Sequence, residues 1–444
     1  MTDRLWIKDP LAILADDAGR GLVIEGGRIV ELVRAGAEPA QLCASLDASR
    51  HVILPGLVNA HHHFYQTLTR AHPAAINKPL FQWLQALYPI WSRLTPDTLR
   101  PAVRIALIEL LLSGCTTAAD HHYLYPAGLE QAVDLEVEAA REIGIRMTVT
   151  RGSMNLSIKD GGLPPDTVVQ DEDDILTDSE RVLSLFHDRS PGAQIQIGLA
   201  PCSPFTVTKR LMRETAALAE RFDCPLHTHL AESEDETAFC EARYACRPVD
   251  LLEETGWLTP RTWLAHGIHF DDAEIARLGR HGLGVCHCAA SNMVLASGMC
   301  RTVELERGGA AIGLGVDGSA SNDASNMMEA LRHALMIGRL RYGADAVTHH
   351  DVYRWGTEGS ARCLGRHDIG RIAVGMQADL ALFTVQDSRF AGAHDPLAAL
   401  ILCGATRADR VMVGGAWRVV DGAPVGLDLA KLIADQQQAA RRFA

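Results

Sequence analysis

Eight short apolar runs punctuate the chain, at residues 52–60, 116–120, 146–151, 195–201, 225–230, 262–266, 284–288 and 312–317. Helix-length stretches of mixed polarity separate them. Runs of this length, without polar alternation, predict strands covered on both faces, and a helix between successive strands makes them parallel. Eight such units close into a (β/α)8 barrel. One helix is well punctuated. It opens at Thr95-Pro-Asp97, carries Leu99, Val103, Leu107 and Leu110 at helical spacing, and stops at Gly114. A doubly wound open sheet is the alternative, but no Gly-x-Gly-x-x-Gly turn follows any strand.

The two ends carry a different pattern. Residues 21–33 alternate apolar and polar positions around Gly26-Gly27, and residues 410–422 repeat this around Gly414-Gly415, each predicting a hairpin. Residues 378–385 read as a further strand. Neither end has enough strands for a stable sheet alone. The expectation is one small β-sandwich built from both ends, residues 1–56 and 375–444, flanking a barrel over residues 57–374.

Composition narrows the function classes. With 47% hydrophobic and 22% charged residues the chain reads as a soluble globular protein. A net charge of −13 without a basic stripe argues against a nucleic-acid polymer as partner. The best apolar run, residues 105–115, is broken by Glu109 and too short to span a bilayer, and the start, Met1-Thr-Asp-Arg, has no secretory pattern. Eleven scattered cysteines, an odd number, suggest reduced thiols and a cytoplasmic setting.

Chemistry concentrates at the predicted strand ends. His61 and His63 lie two residues apart at the end of the first strand, so their imidazoles point the same way, as a shared metal ion requires. Among 19 histidines such a pair means little by itself. In a barrel, however, the C-terminal strand ends converge, and here they also carry His229 on the fifth strand, His266 on the sixth and Asp317 on the eighth. Each alone is explained by a buried hydrogen-bonded His or a helix cap. Together they predict a metal site. Glu232, just past the fifth strand, is placed to shuttle protons without ligating. The fourth strand ends Gly198-Leu-Ala-Pro-Cys202 with no Lys or Glu to bridge a second ion, which favours one metal. Cys202 reads as a small hydrophobe. Cys286-His-Cys288 is too tightly spaced for a zinc site and reads as strand interior. The aromatic segment 64–91 is either helix core or a lid that stacks on a flat heterocycle.

These motifs resemble one family. Pro55-Gly-Leu-Val-Asn-Ala-His-His-His63, His229-x-x-Glu232, His266 and Gly313-Leu-Gly-Val-Asp-Gly318 are similar to the amidohydrolase superfamily, and within it to the deaminase branch. The resemblance spans essentially the whole chain, including the split β-sandwich. It implies that His61, His63, His229 and Asp317 hold one Zn²⁺, in a donor set that also accepts Fe²⁺. It implies that Asp317 and Glu232 move protons while His266 steadies developing charge. The implied substrate is a small aminated purine-like heterocycle, with 8-oxoguanine giving urate and ammonia favoured over guanine, isoxanthopterin or a hydroxytriazine. Gln66 is implied as reader of the purine edge and Arg151 as holder of a ring carbonyl. It also implies a homo-oligomer, since family members are commonly assemblies of two or more chains. One departure is His62, where the family often has Thr or Ser, and its side chain is expected on the opposite strand face. A non-catalytic barrel scaffold is the rival from another class, but such proteins lose ligands that this chain retains.

Overall fold

The computed structural model describes residues 4–42 and 44–444. The barrel strands are β1 (Leu57–Asn59), β2 (Cys115–His122), β3 (Arg146–Ser153), β4 (Ile195–Pro201), β5 (Leu226–Leu230), β6 (Thr262–His266), β7 (Gly284–His287) and β8 (Ala311–Leu314). They pair in parallel in sequence order. The first and last meet where the Ala60 N–H donates to the Leu314 carbonyl at 2.9 Å. This is the predicted barrel, with helices between strands.

The first predicted run is two strands. His51–Pro55 pairs antiparallel with Leu380–Thr384 in the terminal sheet, and only Leu57–Asn59 enters the barrel. The break falls at Gly56, where a Cβ would collide with the Thr116 side chain. Only glycine lets the chain pass from one sheet to the other so close to β2. The eighth run is also shorter than expected, since β8 ends at Leu314 and Asp317 lies beyond it.

Both chain ends contribute to the terminal β-structure. A six-stranded sheet joins Ala12–Ile13 and His51–Pro55 to four C-terminal strands, and a four-stranded sheet is wholly N-terminal. Ile7, Leu22, Ile24 and Ile29 of one sheet pack on Ile53, Leu380, Leu382 and Met412 of the other. Arg146, at the start of β3, locks the barrel to this unit through a bidentate pair with Asp379, at 2.7 and 3.1 Å, both side chains buried. The C-terminal segment is not all β, because helix Leu429–Ala440 packs on the barrel helix that follows Thr95.

Three helices matter for the site. α1 (Leu80–Trp91) crosses the barrel mouth. α2 (Pro96–Leu112) begins with the predicted Thr95 cap and buries Leu99, Val103, Leu107 and Leu110. α3 (Ala132–Ile143) packs on β3 and α2, and its Glu136 reaches His122 of β2. No described helix is long and apolar enough to cross a membrane, and the ten described cysteines are free. Residues Met1–Asp3, on which the reading of the N-terminus rests, lie outside the described residues.

Candidate active site

The barrel brings the predicted donors into one cluster. His63 Nε2 lies 3.1 Å from His229 Nε2 and 3.3 Å from Asp317 Oδ1, and His61 Nε2 lies 3.4 Å from the same oxygen. Ligands about 2.0–2.1 Å from a common ion, tetrahedrally arranged, stand about 3.4 Å apart. All four side chains are buried. Two site residues depend on unusual backbone. His266 closes β6 at φ 71° and Asp317 follows β8 at φ 64°, left-handed conformations that cost about 1–3 kcal/mol in a non-glycine residue and recur where a side chain must be aimed.

The hydrogen bonds set each imidazole's tautomer. His63 Nδ1 donates to the His121 carbonyl and His229 Nδ1 to the Cys202 carbonyl, both at 2.7 Å. His61 Nδ1 meets His227 Nε2 at 2.7 Å, and His227 Nδ1 donates to the Trp263 carbonyl at 2.9 Å. A carbonyl only accepts, so the His227 proton is on Nδ1, and its Nε2 must accept from His61. All three Nε2 lone pairs therefore face the cluster centre, and His61 Nε2 has no hydrogen-bond partner among the described residues. Burial lowers the pKa of each, that of His63 to about 3, so the rings stay neutral. Bare lone pairs crowded around a carboxylate repel one another unless a cation sits among them. The residues fit a divalent metal.

Beside the cluster stands an acid–base group. His266 Nε2 lies 3.4 Å from Glu232 Oε2 and 3.8 Å from Asp317 Oδ2, and its Nδ1 meets Asn292 Oδ1 at 2.9 Å. Burial opposes charge on His266, but Glu232 and Asp317 outweigh it and raise its pKa. Burial lifts the Glu232 carboxyl to about 7, and His266 only partly offsets this. A carboxyl poised near neutrality can both give and take a proton.

The cavity above these groups is roofed by Leu80, Trp83, Leu84 and Tyr88 of α1, so the aromatic segment is a helix and also a lid. Trp83 Nε1 latches it by donating to the Ala320 carbonyl at 3.1 Å. Tyr123, Cys202, Phe205 and Leu295 form the walls. Gln66 also lines the cavity, with its Oε1 accepting from Ala320 N at 3.3 Å and Gly318 packed against its amide. Cys202 thus faces the cavity, with its thiol pushed up to about 12 by burial. His62 turns away, bonding Ser325 Oγ at 2.8 Å.

Arg151 is not brought to the cavity. Its Nε donates to Asp178 Oδ2 at 2.8 Å and its Nη2 to Gln170 at 3.0 Å, while the guanidinium lies 3.9 Å from the Tyr125 ring centroid. The expectation placed it at a strand end, but β3 runs on to Ser153, and the side chain points out of the barrel wall toward the helices. Conversely, sequence reasoning missed His227, His121 and Asn292. His121 stacks on His229 at 4.6 Å and joins the same donor group. His227-Thr-His229 has the two-residue spacing of His61 and His63, and that repetition on a facing strand was the available signal. Cys288 likewise approaches His61, His266 and Asp317 closely enough to count among their donors.

Comparison with known proteins agrees with this geometry. The profile of the amidohydrolase family matches residues 52–417. The chain is 63% identical to an 8-oxoguanine deaminase of Pseudomonas aeruginosa, covering 98% of each protein. It is 34% identical to an isoxanthopterin deaminase from an unknown prokaryotic organism, covering 90% of this chain and 87% of that protein. Among solved structures, atrazine chlorohydrolase from Arthrobacter aurescens, complexed with zinc, superposes with a TM-score of 0.93 at 29% identity, over 98% of this chain and 100% of that one.

Proposed function

The chain belongs to the amidohydrolase family, and on that premise we propose that it is a hydrolytic deaminase converting 8-oxoguanine and water to urate and ammonia. The observation that carries the chemistry is Glu232, poised near neutrality beside His266 and Asp317 at the edge of the Nε2 cluster. Choice of substrate rests on 63% identity across the chain to the Pseudomonas aeruginosa deaminase.

In this reading His61, His63, His229 and Asp317 hold one divalent ion, Zn²⁺ or Fe²⁺ by donor type. When bound, the ion supplies Lewis acidity that brings the pKa of water to about 7. Asp317 takes a proton from the water that attacks C2. Glu232 delivers its proton to the adjacent ring nitrogen and recovers one from the oxygen added at C2, Asp317 passes the proton it took to the amine, the C2–N bond breaks, and ammonia leaves. His266, held by Asn292, steadies the oxygen added at C2. Gln66 has its oxygen engaged by Ala320, which leaves its amide N–H groups for the purine edge. The α1 lid excludes bulk water, which strengthens every charge interaction inside. Free thiols fit a reducing, cytoplasmic setting.

The test is ammonia release from 8-oxoguanine, guanine and isoxanthopterin in parallel on metal-replete protein. Turnover of 8-oxoguanine is expected to dominate, and Glu232→Gln to lower kcat by about 10²–10⁴ with metal content unchanged. Faster turnover of another ring would keep the chemistry and refute the substrate. Silence on all three would refute both.

A further inference from the structure

A second polar cluster lies on the other side of the barrel wall. Along β2, His121 points into the barrel, so Asp120 and His122 point outward, under α3. There they meet Glu136 of that helix. Asp120 is 1% exposed, and His122 and Glu136 are 0% exposed. One donor atom from each lies within 4.8 Å of the other two.

Few hydrogens point at this cluster. Asp120 Oδ1 accepts from the Phe64 N–H at 2.7 Å, and His122 Nε2 donates to the Leu124 carbonyl at 2.8 Å. That second bond fixes the neutral tautomer and leaves a lone pair on Nδ1. It faces Glu136 Oε1 at 3.1 Å, a lone pair against a carboxylate oxygen. Asp120 Oδ2, His122 Nδ1 and both Glu136 oxygens have no hydrogen-bond partner among the described residues. Four buried acceptors without a donor are costly, and two buried carboxylates more so. Burial pushes the Glu136 carboxyl up to about 8 and the His122 imidazole down to about 4. Burial raises the Asp120 carboxyl as well, so the competing arrangement is two protons, one between Glu136 and His122 and one between Asp120 and Glu136. A divalent cation replaces both protons, takes a lone pair from each of the three side chains and cancels both negative charges.

We propose that Asp120, His122 and Glu136 form a second, wholly buried site for a divalent first-row metal ion, separate from the cavity cluster. One imidazole with two carboxylates suits Zn²⁺, Mn²⁺ or Fe²⁺. The 3.1 Å separation of His122 Nδ1 and Glu136 Oε1 lies between the edges of about 3.0 and 3.4 Å that bonds of about 2.1 Å give in octahedral and tetrahedral sites. The role is structural. Asp120 holds the backbone of Phe64, the residue after His63, so the ion ties β2 and α3 to the turn that carries His63 and Gln66.

The test counts metal per chain by plasma mass spectrometry on the purified full chain after desalting. Wild type is expected to hold one equivalent more than Glu136→Gln or His122→Phe, and His229→Ala is expected to keep the buried ion. Equal metal content in wild type, Glu136→Gln and His122→Phe would overturn the proposal. Should those variants fail to fold, an anomalous difference map of wild-type crystals at the edges of zinc, iron and manganese decides. A peak between the three side chains is expected, and its absence would mean that protons hold the trio. Neither readout depends on deaminase activity, so failure here and failure of the proposed reaction are distinguishable.

Discussion

His227 is the residue by which the tautomer argument stands or falls. It touches no substrate, yet its Nε2 is the acceptor that keeps the proton on His61 Nδ1 and the lone pair on Nε2. Replacing it by Phe keeps the ring that stacks on Trp263 at 4.2 Å and 12° and removes only the acceptor. The buried His61 N–H then loses its partner, at a cost of about 1–3 kcal/mol. If the ring flips or shifts tautomer to recover a bond, the metal loses a ligand instead. Removing the partner of a metal-binding His typically weakens metal affinity about 10–100-fold, which is about 1.4–2.7 kcal/mol and matches the first figure. The assay is competition between metal-depleted protein and a chromophoric chelator for Zn²⁺, comparing wild type, His227→Phe and His287→Phe. His287 is a buried His whose Nδ1 has no partner among the described residues, so it controls for losing a buried imidazole. A Kd for His227→Phe within about twofold of wild type, or a loss equal to that of His287→Phe, would refute the reasoning.

Arg151→Ala is expected to lower stability by about 1–3 kcal/mol through its lost buried hydrogen bonds to Asp178 and Gln170, since Asp178 is partly exposed and keeps Arg181, while KM for the heterocycle stays unchanged; a raised KM in folded protein would return Arg151 to the substrate. Gly318→Ala places a methyl group against the Gln66 amide, so it should raise KM about as much as Gln66→Ala does, and steady-state kinetics on the two variants checks this. Burial, aided by the Glu232 charge, holds the Glu236 carboxyl up at about 8 against 4.5 in a free chain, though it accepts from Ala231 N at 2.8 Å. The unfolded chain releases this proton first, so its contribution to stability is complete below about pH 4.5 and is lost as pH rises toward 8. Glu236→Gln keeps an acceptor oxygen and cannot ionise, so urea midpoints of metal-depleted protein should fall less steeply between about pH 5 and 8 than in wild type.

The barrel and the cluster of donor side chains at its mouth were legible because both are written locally. A buried parallel strand shows as an apolar run, and the end of the run is where a barrel exposes its chemistry. His61, His63, His229, His266 and Asp317 all follow from that rule applied to the amino-acid sequence. The same rule misplaced Arg151, since a run's polarity does not reveal that β3 continues to Ser153, and a shift of one residue turns a side chain to the other face of the wall. It also merged two strands into one at Gly56, where the reason for the break is the side chain of Thr116, 60 positions away.

What the chain determined by itself was five members of the cluster, His61, His63, His229, His266 and Asp317, with their spacing and the strand ends they ride on, because periodicity and turn chemistry act over a few residues; His121 and Cys288 joined them only in the fold. Tertiary structure alone decided which nitrogen of each imidazole faces the centre, since that depends on His227, His121 and Cys202 from other strands. It also decided that Glu232 sits near neutrality and that Asp120, His122 and Glu136 meet behind β2. Tautomers and pKa values follow from burial and from partners brought across the barrel, and those are set only when the sheet closes.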